Sequence, residues 1–158
     1  MRWKRWARVV GAWLLAVVST AVLGSLVQTQ FNLQALAELG LVIPLPVRVM
    51  TTWRDLIGFT PAYAAIVAGG FVVAIPIATG LLRRWPRQRW LLPLAGATAI
   101  VTALMLMKGL LKLTAIAAAR DPWAVLCLAL AGAVGGWVYL RLRPCPVGKE
   151  LNTGVRLS

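Results

Sequence analysis

Polar and charged residues that could bind a ligand stand at the ends of long apolar stretches. Lys108 and Lys112 are four residues apart, so on a helix they share one face and repel each other unless an anionic group compensates. Lys108 is the deepest charge in an apolar stretch, and an ionisable residue at such a depth indicates a functional site. Snorkelling of its ammonium group to the membrane surface is the competing interpretation.

The other members of this candidate site flank the neighbouring apolar stretches. Gln28, Gln30 and Asn32 follow the first stretch, Arg54 and Asp55 precede the second, and Arg120 and Asp121 precede the last. Thr29, Thr51, Thr52 and Thr114 stand beside them. We expect these residues to form a polar pocket for an anionic headgroup, or a docking patch for a membrane partner.

Several chemistries lack the residues they need. The chain has no histidine, which excludes bis-histidine haem binding, histidine-based catalysis and most zinc sites. Ser19, Ser25 and Thr102 have no base nearby in the sequence, and there is neither a phosphate-binding loop nor a metal-ligand spacing. Cys127 and Cys145 are expected at different depths, so no disulfide is predicted. We therefore expect no cofactor, no metal and no enzymatic activity.

The elements that must position the candidate site are long and apolar. The 158 residues are 60% hydrophobic, well above the 45–50% or so of soluble domains. Four stretches reach the roughly 17–25 residues that a membrane-spanning helix needs, and backbone groups in hydrocarbon must pair within their own segment. The predicted fold is an all-α integral membrane protein with four transmembrane helices in an antiparallel bundle, spanning about 9–31, 59–82, 91–113 and 122–141.

The boundaries of these spans carry recognisable signals. The basic start followed by an apolar run is similar to a signal peptide, but the run is too long and lacks a clear cleavage site, so a retained first span is predicted. Thr60-Pro61 and Asp121-Pro122 each predict a helix start, with a capping side chain followed by proline. The transmembrane domain is expected over 1–143, with a short cytoplasmic tail over 144–158.

Orientation follows from the basic residues. The chain has 17 Lys and Arg against four acids. With four crossings, twelve bases fall on the side of the two termini and five on the other. This positive-inside bias predicts that both termini are cytoplasmic, and six of the eight tryptophans are expected near the inner boundary. Because the bases stand at the ends of apolar stretches, nucleic acid is not an expected partner.

The connection over residues 32–58 is not ordinary loop sequence. Leu33, Leu36, Ala37, Gly40 and Leu41 recur at helical spacing, with polar residues on the opposite face. This pattern predicts an amphipathic helix at the outer membrane surface. The two prolines in 41–47 predict an extended turn after it.

Small residues predict where helices pack. Gly132 and Gly136 form a Gly-x-x-x-Gly pair, and Gly69 and Gly70 are adjacent in the second span. Such residues let helix backbones approach closely in lipid. The pattern leaves open whether the contact is within the chain, with a second copy or with another protein.

The sequence as a whole favours a non-catalytic, multi-pass protein of a bacterial inner membrane, with the lipid bilayer as its surroundings. Its predicted role is that of an accessory or assembly subunit acting through helix packing and its outer face, with a membrane-protein partner or a homo-oligomer. The alternative is a small carrier or a lipid- or quinone-binding protein with a polar pocket near the outer leaflet.

Overall fold

A computed structural model describes residues 2–85, 87–111 and 121–143, and every regular element in these ranges is a helix. The helices are α1 (Arg2–Glu38), α2 (Leu45–Gly58), α3 (Thr60–Arg84), α4 (Leu91–Leu111) and α5 (Pro122–Leu142). The side chains of Arg2, Arg5 and residues 108–111 lie outside the description. Lys112, Arg120 and the predicted tail, 144–158, lie outside it altogether.

The predicted outer segment is divided differently from the expectation. Its first part continues α1 without interruption to Glu38, and α1 ends at Gly40, whose φ of 84° is the left-handed conformation that glycine adopts easily. The Gly40 and Leu41 amides donate to the Ala37 and Leu36 carbonyls, which is a Schellman cap. A separate helix, α2, then occupies the second part.

Proline explains where α2 begins. Pro44, its N-cap residue, is extended, and a further proline lies in the first turn, where the missing amide hydrogen removes no helical hydrogen bond. The apolar, proline-containing stretch is therefore an extended turn up to Pro44 and a helix from Leu45 onward.

The two predicted side-chain caps have different outcomes. Asp121 is the N-cap of α5, and its Oδ1 accepts a hydrogen bond from the Trp123 amide at 3.0 Å, so that prediction is confirmed. The cap predicted at Thr60 is wrong. Phe59 is the N-cap of α3, and its ring has no oxygen or nitrogen to make a side-chain cap bond. α2 ends at Gly58, the residue before it, and Phe59 itself has helical backbone angles, so Thr60 already lies inside α3.

Each long helix packs antiparallel against its neighbours. α1 contacts α3 and α5, α4 also contacts α3 and α5, and α2 packs across α1 and α3. Gly24 near the end of α1 meets Tyr63 near the start of α3, and Gly136 near the end of α5 meets Leu92 near the start of α4. The short turn between α3 and α4 gives the same antiparallel arrangement for that pair.

Glycines allow a close helix contact between α4 and α5. A Cβ at Gly132 would lie 2.5 Å from the Gly96 carbonyl oxygen, and one at Gly136 would meet the Leu92 carbonyl group. The predicted Gly-x-x-x-Gly pair is thus used within the chain. Gly70 faces Ala99 at ordinary contact distance, whereas Gly69 is exposed and a Cβ there would have no described atom within 4 Å.

The helices expose many large apolar side chains and bury several polar ones. The buried side of α1 includes Ala12, Ala16, Val17 and Ala21 and the polar residues Thr20, Ser25, Gln28 and Thr29, while every long helix also has exposed leucine or valine side chains. Three helices are long and apolar enough to cross a membrane, and the apolar helix Leu91–Met107 is shorter. These features indicate a helical membrane protein.

Candidate functional site

The densest group of buried polar side chains lies where the end of α1 meets α2 and the start of α3. We call this region the polar corner and define it by Ser25, Gln28, Thr29, Asp55, Thr60 and Tyr63. Gln28 and Thr29 follow Ser25 by three and four residues, so helix geometry places both on its face of α1. That face is turned inward, because Ser25 and Thr29 are each only 1% exposed.

The Thr29 side chain connects α1 to α2 by a hydrogen bond. Its Oγ1 lies 2.9 Å from the Ser25 carbonyl oxygen and also 2.9 Å from Oδ2 of Asp55. The hydroxyl has a single hydrogen, so it donates to one of these acceptors at a time. Asp55 is half-buried, and a hydrogen bond to a charged group contributes more than a neutral one, about 1.5–3 kcal/mol.

A second, longer contact lies one residue further along α1. The Gln30 side-chain amide donates to the Thr52 hydroxyl at 3.4 Å, and Thr52 Oγ1 in turn donates to the Arg48 carbonyl at 2.8 Å. The polar face of α2 is therefore held against α1 at two points, one turn apart. These contacts fix the rotation of α2 about its own axis.

Four buried polar atoms of the polar corner have no hydrogen-bond partner among the described residues: Ser25 Oγ, Gln28 Oε1, Thr60 Oγ1 and the Tyr63 hydroxyl. Each group left unpaired in a buried place costs about 1–3 kcal/mol. Hydroxyl groups both donate and accept, and the amide oxygen accepts. These four groups therefore have hydrogen-bonding capacity that no described residue uses.

Tyr63 reaches this corner because α1 has no side chain at Gly24. A Cβ at Gly24 would overlap the Tyr63 ring and would lie 3.0 Å from its hydroxyl oxygen. Phe59 stacks on the same ring, with centroids 5.7 Å apart. The sequence did not point to Tyr63, since its inclusion depends on how α3 is rotated against α1.

The predicted site residues are only partly brought together. Gln28 is buried in the polar corner, Gln30 and Asp55 make the contacts just described, Asn32 is half-buried and Arg54 is exposed. Asp121 serves as the cap of α5. Lys108 has its backbone in α4 but its side chain outside the description, and Lys112 and Arg120 lie outside the described residues.

The other face of α2 is apolar and points away from the helices it packs on. α2 has no buried residue, while Met50, Trp53 and Ile57, which share one face, are each more than half exposed. An amphipathic helix with its polar side inward and its apolar side outward needs an apolar environment on the outside. A membrane surface or an apolar protein partner supplies one.

A long apolar groove separates α3 from α4 on the outer surface. Its volume is about 860 Å³, and its lining runs from Ile66 to Leu81 on α3 and from Leu91 to Met107 on α4. Glycine and alanine make its floor: Gly69, Gly70, Ala74, Ala78, Ala95, Ala99 and Ala103. The hydroxyl of Thr98, a polar group in the lining, donates to the Leu94 carbonyl of its own helix at 3.0 Å, so the groove presents a nearly unbroken apolar surface.

The fold indicates a helical membrane protein, and its described residues form a polar corner and a small-residue groove. Within the described residues, no group of three or more His, Cys, Asp or Glu side chains could hold a metal ion. Comparison with protein-family models, curated proteins and solved structures finds no match for this chain.

Proposed function

We propose that the chain is a non-catalytic, multi-pass protein of a bacterial inner membrane and acts as an accessory or assembly subunit. In this proposal it crosses the membrane four times, has both termini in the cytoplasm, and holds a transmembrane helix of a partner protein in the groove between α3 and α4. The observation that carries the proposal is the small-residue floor of that groove.

Helix association in lipid depends on close packing, since lipid chains are as apolar as leucine side chains. Gly69 has no side chain and is exposed on the floor, and Gly70 and Ala99 lie beside it. A neighbouring helix could therefore bring its backbone close to α3 and α4, as α5 does against α4 at Gly132 and Gly136. The groove covers 16 residues of α3, about 24 Å of helix, or most of the roughly 30 Å hydrocarbon core.

The outward face of α2 supplies a second surface for the same partner. Methionine, aromatic residues and arginine are enriched in protein interfaces, and Met50, Trp53 and Arg54 are exposed together on this helix. The hydrogen bonds of Thr29 and Gln30 hold α2 in a fixed orientation. A fixed surface loses less conformational entropy on binding than a mobile one.

Photo-crosslinking in intact membranes tests the groove directly. A benzoylphenylalanine at Val73, an exposed residue of the groove, should crosslink to a transmembrane peptide of another protein. The same probe at Leu130, equally exposed but outside the groove lining, should not. Crosslinks from Val73 only to lipid, or only to a second copy of this chain, would overturn the proposed partner.

A matched pair of glycine variants tests the shape of the groove. Gly69→Leu fills the floor, whereas Gly11→Leu adds the same side chain to α1, where a Cβ also has open space. We expect the crosslink from Val73 to fall about tenfold with Gly69→Leu, the loss that corresponds to about 1.4 kcal/mol, and to be unchanged with Gly11→Leu. Equal crosslinking in both variants would contradict docking in the groove.

A carrier or a lipid- or quinone-binding protein is the second candidate, and the unpaired atoms of the polar corner favour it. A quinone carbonyl could accept a hydrogen bond from the Tyr63 or Ser25 hydroxyl. Native mass spectrometry after mild detergent extraction tests it: a retained molecule that is lost in Tyr63→Phe supports it, and an unliganded mass counts against it.

A further inference from the structure

A second groove lies between α1 and α3, at the end of the molecule opposite the polar corner. Its volume is about 520 Å³. It begins at Trp6 on α1 and Arg83 on α3 and narrows to Trp13 and Val72, with Tyr139 of α5 contributing to its wall. Gly80 leaves room in it, since a Cβ there would have no described atom within 4 Å.

The groove is polar at one end and apolar at the other. Arg83 and Thr79 line the end near the turn after α3, and the Thr79 hydroxyl is buried without a hydrogen-bond partner among the described residues. Val9, Val10, Ile75 and Val72 line the rest. From Val72 to Arg83 the helix rises about 16 Å, which is close to half of the roughly 30 Å hydrocarbon core, or one leaflet.

The charge at this end of the molecule is entirely positive among the described residues. Lys4, Arg8, Arg84, Arg87 and Arg89 accompany Arg83, and Arg141 in the last turn of α5 and its C-cap Arg143 stand at the same end of the antiparallel helices. The three described acids are Glu38, Asp55 and Asp121, and each lies at the opposite ends of the helices. The fourth acid, Glu150, lies outside the described residues.

We propose that this groove binds one anionic phospholipid, with its phosphate at Arg83 and Thr79 and an acyl chain along the valines and Ile75. The guanidinium supplies charge-assisted hydrogen bonds to the phosphate, and the Thr79 hydroxyl donates a further one. Trp6 and Tyr139 are amphipathic side chains that suit the level of the headgroups. A soluble anion would match Arg83 but would leave the apolar part of the groove unfilled.

This site is separate from the α3–α4 groove and does not depend on a protein partner, although it rests on the membrane embedding in the proposed function. General attraction between arginines and anionic membranes acts on every exposed base alike, whereas binding of one lipid in this groove depends on the bases that line it. Arg83 lies in the groove lining, whereas Arg84 and Arg87 are exposed neighbours outside it. If the lipid binds in this groove, replacing Arg83 should weaken its binding more than replacing Arg84 or Arg87, although each replacement removes the same charge.

Native mass spectrometry of the purified full chain, titrated with dioleoyl phosphatidylglycerol or dioleoyl phosphatidylcholine, tests the proposal. We expect one phosphatidylglycerol to bind at least about tenfold more tightly than phosphatidylcholine, a difference of about 1.4 kcal/mol, because both lipids carry the phosphate but the choline cation of phosphatidylcholine repels Arg83. Arg83→Gln should remove this preference, and Thr79→Val should weaken the binding of both lipids. Arg84→Gln and Arg87→Gln should keep the preference, and Arg83→Lys should retain part of it.

Three results would overturn the lipid site. An equal loss in Arg83→Gln and Arg87→Gln would show general electrostatic attraction, equal affinity for both lipids would show no headgroup selection, and a dimer mass without lipid would show that a second copy fills the groove. Helical circular dichroism of each variant checks that it is folded. Failure to bind either lipid, together with extraction of the chain without detergent, would instead contradict the membrane embedding.

Discussion

At the level of single residues, glycine decides how closely α4 and α5 approach. Gly96 of α4 lies against Gly132 and Gly136 of α5, and carbonyl groups of one helix occupy the space where side chains of the other would stand. Dispersion contacts between backbones replace side-chain interdigitation here. Such contacts are numerous and short-ranged, so a small outward displacement of one helix loses many of them at once.

Gly136→Ala should therefore destabilise the protein. The new Cβ would lie 2.8 Å from the Leu92 carbonyl carbon and 3.0 Å from the Pro93 Cα, and neither backbone atom can rotate away. Overpacking of this kind costs about 1–3 kcal/mol, more than the 0.5–1 kcal/mol or so that alanine gains over glycine inside a helix. The free energy of unfolding in mixed detergent micelles measures the difference.

Gly69→Ala is the matched control, because it makes the same change where a Cβ has open space. Its free energy of unfolding should be unchanged or slightly raised by the better helix propensity of alanine. If Gly136→Ala were as stable as Gly69→Ala, the close packing of α4 and α5 would not be needed for the fold.

Thr29 makes the other residue-level contact that links helices. Thr29→Val keeps the branched shape but removes the hydroxyl that lies 2.9 Å from Asp55 Oδ2. We expect a loss of about 1–3 kcal/mol, as for other buried hydrogen bonds to a charged partner. Thr98→Val, which removes only bonds to the Leu94 and Ala95 carbonyls in its own helix, should cost clearly less in the same unfolding assay. Equal losses would argue against a stabilising Thr29–Asp55 contact.

At the level of elements, α2 is the helix whose surroundings differ most on its two faces. Nitroxide labels at Trp53 and Ile57, on the apolar side, should collide more often with oxygen than with a water-soluble nickel complex. A label at Gln34, exposed on the polar extension of α1, should show the reverse. Electron paramagnetic resonance in liposomes measures both collision rates, after Cys127 and Cys145 have been changed to alanine. Water-like accessibility at Trp53 would mean that the apolar face of α2 is not covered.

Much at the level of elements could be predicted from the sequence. Apolar length and the need to pair backbone groups in lipid predict helices, and the Asp121-Pro122 cap follows from local chemistry alone. The division between α1 and α2 could not be predicted in the same way. The stretch 30–38 contains polar residues that interrupt the apolar pattern of α1, yet it continues the helix. The sequence also does not single out Gly40 as the end of α1, because other glycines lie inside helices.

The candidate site was harder to predict for a physical reason. Gln28, Thr29 and Asp55 stand at the ends of apolar stretches and are visible in the sequence, but their pairing depends on helix rotation. Tyr63 joins them only because Gly24 leaves a gap on another helix. Gly69 and Gly132 are both small residues in apolar stretches, yet Gly69 is exposed and Gly132 is packed against α4. A glycine in the sequence indicates that another helix can approach closely, but not which helix does so.

At the level of the whole molecule, the antiparallel packing separates the charges. One end of the molecule holds the described bases of α1, α3 and α5 and of the turn after α3. Arg141 at this end lies over the Trp137 ring, 4.7 Å from its centroid. The described acids gather at the other end. In the proposed membrane embedding, this charge separation favours insertion with the basic end in the cytoplasm, because bases near the ends of spans stay on that side.

Cysteine accessibility in spheroplasts of the producing bacterium tests this direction and the number of crossings. In a background without Cys127 and Cys145, Gln34→Cys on the polar extension of α1 should react with a membrane-impermeant maleimide in intact spheroplasts. Lys4→Cys at the start of α1 and Gln88→Cys in the turn after α3 should react only after lysis, because two crossings bring the chain back to the cytoplasmic side.

Reaction of Lys4→Cys and Gln88→Cys on opposite sides would mean that α1 and α3 do not both cross. Reaction of both from outside, with Gln34→Cys protected, would mean that the arginine-rich end faces the periplasm, and the phospholipid site at Arg83 would then belong to the outer leaflet.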